Sequence, residues 1–398
     1  MPASARTIIH LDLDAFFCAV EEQRDPTLIG QPFAVGGRPE VRGVVASCSY
    51  AARQYGIHSA MPMAQAIRRC PQLRIVPQRF AAYRAASTEV MARLTALTPL
   101  VEQLSIDEAF LDVTALAASG EHLARQLQRT IREDLGLPCS LGVATNKLVA
   151  KIATDVGKAA ARTGLAPSAL CIVPAGTEAT FLAPLPTRAL WGVGPRTAEH
   201  LAALGIHTIG DLARYPADAL MRRFGKHGAA LARHARGIDE RALEVTHVAK
   251  SLSKEQTFAQ DVQEEAVLRQ TLRHQAAAVA SALQRKGMQG TTITLKLRWS
   301  DFTTLTRQTT LSTATNQEAV IAATALHLFT ETWQAGLPVR LIGVGVSGLG
   351  TPGAQATLWE SVLPQEEQRR QVEALLEEVR ARFGERIIWW GREWKPAH

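Results

Sequence analysis

The tightest constraint on this chain is a pair of carboxylate-bearing strand ends lying far apart in sequence. The run Thr7-Ile8-Ile9-His10-Leu11 is short, apolar and β-prone, and it ends in Asp12-Leu13-Asp14. Much later, Val101 to Ile106 and Ala109 to Val113 flank Asp107-Glu108, which reads as a β-hairpin with carboxylates at its turn. Helical patterns run from Ala15 to Arg24, Phe80 to Thr98 and Glu121 to Leu135. Strands are expected at Val41–Ser47, between Pro71 and Pro77, and at Ser140–Ala144, with Asn146 opening a further helix. The order strand, helix, strand, strand, helix, strand is that of a split βαβ, ferredoxin-like sheet in an α+β fold. In such a sheet the first strand and the middle hairpin are neighbours, so Asp12, Asp107 and Glu108 can converge. Clustered carboxylates repel one another, and hard divalent cations are the natural compensation. Two Mg²⁺ ions about 4 Å apart can activate an attacking 3′-hydroxyl and stabilise a pyrophosphate leaving group. An isolated Asp-Glu in a turn is more often plain turn polarity. A carboxylate at the end of a buried strand, such as Asp12, weighs against that here.

Three further clusters suit a polyanion. Ser49-Tyr50-Ala51-Ala52-Arg53 enters a helix from a strand, placing Tyr50 and Arg53 on one face, where they could grip a triphosphate. Lys158 ends the helix that starts near Asn146 and could neutralise more phosphate charge. On spacing alone a solvated surface arginine and lysine remain the favoured reading of these two. Trp191-Gly192-Val193-Gly194-Pro195 precedes an apolar helix, and Thr208 with Asp211 forms a capping signature for the next. Gly192 and Gly194 allow hairpin amides to approach a phosphate, as in a helix–hairpin–helix binder of nucleic-acid backbone, although an ordinary helix–helix turn shares the pattern. Further on, Thr292 to Trp299 alternates strictly, with Lys296 and Arg298 on one face. Residues 248–350 carry ten Lys and Arg against seven Asp and Glu.

Composition excludes several classes. At 46% apolar and a net charge of +7, the chain cannot be disordered throughout, and its 398 residues suit two to four domains. The uncharged stretch Leu341–Trp359 is broken by glycines and Pro352, unlike a membrane span. Asp12 and Asp14 interrupt any signal-like run at the N-terminus. The five cysteines (Cys18, Cys48, Cys70, Cys139, Cys171) lack metal-site spacing and read as reduced thiols of a cytoplasmic protein.

The blocks HLDLDAFF (10–17), SCSYAAR (47–53), LSIDEAFLD (104–112), LGVATNKLVAKIATDVGK (141–158) and WGVGPRTAEHLAALGIHTIGDL (191–212) resemble the Y-family DNA polymerases, nearest to their bacterial DNA polymerase IV branch. The resemblance covers residue 6 to about 350. It implies a right hand: palm at 1–15 and 75–170, small fingers at 16–74, a helix–hairpin–helix thumb at 171–240, a linker at 241–247, a little finger at 248–350 and a tail at 351–398. It implies template-directed, low-fidelity, distributive synthesis past damaged template by a monomer acting on primer–template DNA and deoxynucleoside triphosphates, with two Mg²⁺ ions. Asp12, Asp107 and Glu108 match the family's metal-binding carboxylates, and the Leu13 carbonyl its main-chain ligand. Phe17 matches the steric gate against a ribose 2′-hydroxyl, while Tyr50, Arg53 and Lys158 match the triphosphate grip. Asp14 is expected in a supporting role. Gly192, Gly194, Lys250, Lys254, Lys296 and Arg298 are expected to meet DNA. Ala159-Ala160-Ala161 stands where relatives usually carry Pro-Asn-Gly.

Gln355, Leu358 and Trp359 resemble the peptide by which bacterial polymerases dock on the sliding clamp; a plain linker into the amphipathic stripe Val372, Leu375, Leu376, Val379 and Phe383 is the other reading. Two other functions share parts of this pattern. A catalytically silent DNA-binding relative would keep the fold and lose the carboxylates, which are intact. A nucleotide cyclase shares the sheet and metal carboxylates but needs neither the hairpin nor the basic strand.

Overall fold

The computed structural model describes residues 6–161, 165–246 and 248–351, and the chain divides into two compact units, 1–247 and 248–398. The first unit contains β1 (Ile8–Leu13), β2 (Phe33–Gly36), β3 (Val45–Cys48), β4 (Arg74–Val76), β5 (Val101–Gln103), β6 (Glu108–Asp112), β7 (Cys139–Ala144) and β8 (Leu170–Ile172). Its main sheet has the order β5-β6-β1-β7-β8, with β1 antiparallel to both neighbours. This is the split βαβ sheet expected from sequence, extended by β8, which pairs parallel to β7.

Strand alternation sends side chains to two different cores. Ile9, Leu11, Ala109 and Leu111 pack under the helices Phe80–Leu97 and Gly120–Leu135. Ile8 and Phe110 face the other way, toward the helix Lys147–Ala160 and the short helices that follow. Leu190, Val193 and Leu201 belong to that same second core. Gly142 lets the helix Lys147–Ala160 lie directly on the sheet, since a Cβ there would collide with the Ala150 carbonyl.

Some expectations are revised. The strand expected at Val41–Ser47 is shorter, β3, because Pro39–Val41 form a 3₁₀ turn. Its partner β2 carries no alternation, being buried along its whole length, and it joins β3 and β4 in a separate three-stranded sheet. Residues 241–247 are not free linker along their whole length. The Arg241 guanidinium donates to Asp239, the Arg241 carbonyl accepts from Arg6, and the Glu244 amide donates to Glu102. Long-range partners hold a segment that has no periodicity of its own.

The second unit contains β9 (Ser251–Val262), β10 (Gln289–Trp299), β11 (Thr304–Thr315) and β12 (Val339–Gly350), in the order β11-β10-β12-β9. Ile293, Leu295, Leu297 and Trp299 are buried, and they pack with Leu268, Leu272, Ile321 and Phe329 of the helices Glu265–Arg285 and Glu318–Thr332. Of the five cysteines, which form no disulfide, four are buried. Among the described residues no helix is long and apolar enough to cross a membrane.

Candidate active site

Asp12 and Glu108 are direct partners in the β1–β6 ladder, and the Leu13 amide donates to the Asp107 carbonyl at 3.0 Å. Glu108 is therefore the first residue of β6 rather than a turn residue, while Asp107 lies in the turn. The Asp107 carboxylate accepts from the Ser105 hydroxyl at 2.6 Å, and the Ser105 oxygen accepts from the Glu108 amide at 3.0 Å. Ser105 thus knots the turn, a role the sequence reading missed. Asp14 is buried and spent inside the fold: it accepts from the Ser140 hydroxyl at 2.8 Å and from the Ser168 amide at 2.9 Å.

The helix Lys147–Ala160 supplies the counter-charge. Lys158 donates to Asp12 at 2.5 Å and Lys151 to Glu108 at 2.9 Å, while Lys147 pairs with Glu102 at 2.7 Å. Only Lys158 of these was expected, and it lies on a carboxylate here. The signal for the others was the spacing of 147, 151 and 158, which share one helical face. Burial pushes Asp12 up to about 7, outweighing the opposing pull of Lys158, and the neighbouring Glu108 pushes the same way. His10, two residues before Asp12, is held well below the ordinary imidazole range by burial and by Lys151 and Lys158. Its Nδ1 lies 2.9 Å from the Thr154 hydroxyl, and its Nε2 is buried without a partner.

Asp12, Glu108, Asp107 and the Leu13 carbonyl make an all-oxygen donor set, the kind that Mg²⁺ takes. A buried carboxylate that burial drives toward protonation, beside a second carboxylate, is a place where added positive charge is favourable, and the residues fit such ions. Among the described residues no three acidic, His or Cys side chains stand converged as a finished cage. Asp107 is turned to Ser105.

The residues expected to meet the nucleotide are placed as follows. The helix Phe16–Arg24 starts from Ala15 in a left-handed conformation (φ +46°), with no side chain capping its first turn. Ser49 caps the next short helix, accepting from the Ala52 amide at 3.2 Å. The Arg53 guanidinium stacks 4.3 Å from the Tyr50 ring centroid, on the shared face expected from sequence. The Tyr50 hydroxyl is buried without a partner. A cleft of about 450 Å³ is lined by Asp14, Ala15, Cys18, Ser49 and Tyr50 among others. Phe17 stacks flat on Tyr83, centroids 4.2 Å apart, and meets Phe80 edge-on. Tyr83 is fixed in turn by donating to Glu21 at 2.7 Å, an acceptor that Arg79 shares. The sequence reading did not single out Tyr83.

Gly192 has φ +94°, and a Cβ at either Gly192 or Gly194 would meet nothing within 4 Å, so the hairpin backbone is open to approach. Thr208 and Asp211 form the full reciprocal capping box. In the second unit Lys250 and Lys254 are exposed. Lys296 donates to Glu255 at 2.8 Å and Arg298 to the Thr304 hydroxyl at 2.8 Å, so these two cations are engaged within their own sheet. Exposed pairs of that kind exchange at little cost.

Models of known families match three stretches: impB/mucB/samB at residues 11–155, the C-terminal domain of that family at 249–359, and the DNA polymerase-iota thumb domain at 188–239. A Y-family DNA polymerase chimera of solved structure superposes with a TM-score of 0.77 at 26% identity, covering 87% of this chain and 99% of its own. DinB from Sulfolobus solfataricus gives a TM-score of 0.60 at the same identity. The chain belongs to the Y-family of DNA polymerases. Within that class it is similar to DNA polymerase IV of Dehalococcoides mccartyi, 38% identical over 98% of both chains. DNA polymerase IV of Ralstonia nicotianae is 43% identical over 86% of this chain and 93% of its own.

Proposed function

We propose that this protein is a translesion DNA polymerase that extends primers on damaged or mismatched template, with low fidelity and few nucleotides added per binding event. The observation that carries the reading is the pairing of Asp12 with Glu108 across β1 and β6, beside a helix of lysines. Asp12, Asp107, Glu108 and the Leu13 carbonyl would hold two Mg²⁺ ions. When bound, such ions make the primer 3′-hydroxyl acidic and stabilise the departing pyrophosphate.

The chain's own residues do the rest. Tyr50 offers an unpartnered hydroxyl and Arg53 a guanidinium to the triphosphate, and the uncapped first turn of the helix Phe16–Arg24 faces the same anion. Lys158, released from Asp12 as cations arrive, is free to turn to phosphate. Phe17, backed by Tyr83, places a ring against the sugar and rejects a 2′-hydroxyl by clash. The hairpin amides at Gly192 and Gly194 hold a DNA phosphate, and Lys250, Lys254, Lys296 and Arg298 offer further backbone contacts.

Low fidelity follows from small fingers. The three-stranded sheet β3-β2-β4 and its short helices offer little surface to close over a base pair. The same openness admits altered bases. The peptide Gln355, Leu358 and Trp359 lies outside the described residues, and we assign it to a sliding clamp, with the enzyme a cytoplasmic monomer. Primer extension by the purified protein on undamaged and damaged templates with Mg²⁺ tests the proposal. Extension of both supports it; none on either template overturns it.

A further inference from the structure

The hairpin and the carboxylates are linked by a row of three aromatic rings in tilted contact. Phe110 stands two residues after Glu108 on the same face of β6, directly opposite His10, which stands two residues before Asp12. The His10 and Phe110 rings are 4.8 Å apart. Phe110 also meets the Trp191 indole at 5.9 Å, and Trp191 immediately precedes Gly192. The Arg241 guanidinium lies 4.8 Å from the Trp191 ring centroid. Asp239 fixes that guanidinium with bonds of 2.7 and 2.9 Å, and also accepts from the Leu148 amide in the first turn of the helix bearing Lys151 and Lys158. Phe110 is fully buried, in the core it shares with Leu190, Val193 and Leu201.

We infer that Trp191 is a positioning residue for nucleotidyl transfer, setting the distance between the hairpin amides at Gly192 and Gly194 and the carboxylates at Asp12 and Glu108. The inference rests on the polymerase reading above. A hairpin that grips phosphate without reading bases tells the primer end nothing about where the carboxylates are. That information has to come through the protein, and the route is short: indole against phenyl ring, phenyl ring against imidazole, the last two rings rooted on the strands that carry Glu108 and Asp12. With the buried Phe110 ring tilted against it and the Arg241 guanidinium over its ring, the indole cannot shift without opening its contact to the core. Displacements of about 1 Å in a reacting pair cost up to about a hundredfold in rate. A tryptophan that only filled space would affect thermal stability, and one that only helped to bind DNA would affect affinity. A positioning residue affects the rate at saturation.

The test is single-turnover extension of a primer–template duplex by the full chain, with saturating DNA, correct nucleotide and Mg²⁺, beside DNA affinity by fluorescence anisotropy. Trp191→Leu is expected to lower the maximum rate about tenfold or more while affinity stays within about threefold, and Trp191→Phe, which keeps a planar face, to recover most of the rate. Arg241→Met takes the guanidinium off the indole, though it also frees Asp239 from its two bonds, and is expected to slow the reaction in the same sense; it carries the test if Trp191→Leu does not fold. A maximum rate in folded Trp191→Leu or Arg241→Met equal to that of the unmodified protein overturns the inference, as does a loss confined to affinity. Failure of the unmodified protein to extend primers removes the polymerase reading instead, so the two failures are distinct.

Discussion

Glu108 faces Asp12 across the β1–β6 ladder, and lysines two turns apart on a single helix, Lys151 and Lys158, reach one carboxylate each. Two of the site's three carboxylates thus already have ammonium partners from within the chain before any substrate arrives. Cations that bind here have to displace an ammonium group from Asp12.

Asp107→Ala and Glu108→Ala are each expected to lower primer extension by about a hundred- to a thousandfold. DNA affinity should stay near that of the unmodified protein, because the proposed backbone contacts lie on the hairpin and on the second unit. Gel-based extension and anisotropy check the two halves separately. More than a few per cent of activity in both variants contradicts their assignment.

Metal binding should be coupled to proton release. Asp12 has its folded pKa raised from 3.8 to about 7, so between those values the folded, metal-free protein holds a proton that the unfolded chain has lost. Its contribution to stability is therefore greatest at the acidic end, declines as pH rises through that window and is level above it. Asp12→Asn removes the slope, measured as the difference between the two thermal-midpoint profiles. At pH about 6, Mg²⁺ titrated calorimetrically in buffers of different ionisation enthalpy should show release of a proton that Asp12→Asn lacks.

Phe17→Ala should raise ribonucleotide incorporation by orders of magnitude while deoxynucleotide use falls far less. The ring proposed to block the 2′-hydroxyl is held by its stack on Tyr83, on a helix that carries none of the proposed metal-binding carboxylates. Single-nucleotide kinetics with matched ribo- and deoxyribonucleotides measure the ratio. An unchanged ratio assigns the gate elsewhere.

Leu358→Ala combined with Trp359→Ala should abolish binding to the sliding clamp of the same cell in surface plasmon resonance, with basal extension unchanged. A hydrophobic anchor pair of this kind supplies most of the affinity of a docked peptide. Clamp binding at the unmodified level by the double variant makes the segment structural.

Elements marked by local signals were legible in the sequence. Asp12 at a strand end, the Thr208–Asp211 capping box and the alternation from Ile293 to Trp299 all announce themselves within a few residues. What escaped depends on distant partners. Strand β2 is buried along its length and so has no alternation to read, and its neighbour β4 lies many residues away. Lys151 looks like any helical lysine until the sheet brings Glu108 beneath it. Residues 241–244 look like linker because what holds them, the neighbouring Asp239 together with a tryptophan ring and a glutamate far away in the sequence, leaves no periodic mark. The candidate site divides the same way: the carboxylates were visible, and the groups that aim them were not.

The buried cysteines bear on oxidative chemistry. A thiol reacts with peroxide or an alkylating agent only as thiolate. Burial pushes Cys18 up to about 12 and raises Cys139 as well, so neither offers a nucleophile at neutral pH while the fold is closed. The oxidants that scar a DNA template therefore find almost no reactive sulfur beside the site that copies it. The rate at which a thiol reagent does label Cys139, the first residue of β7, becomes a clock for how often the sheet beneath the carboxylates opens.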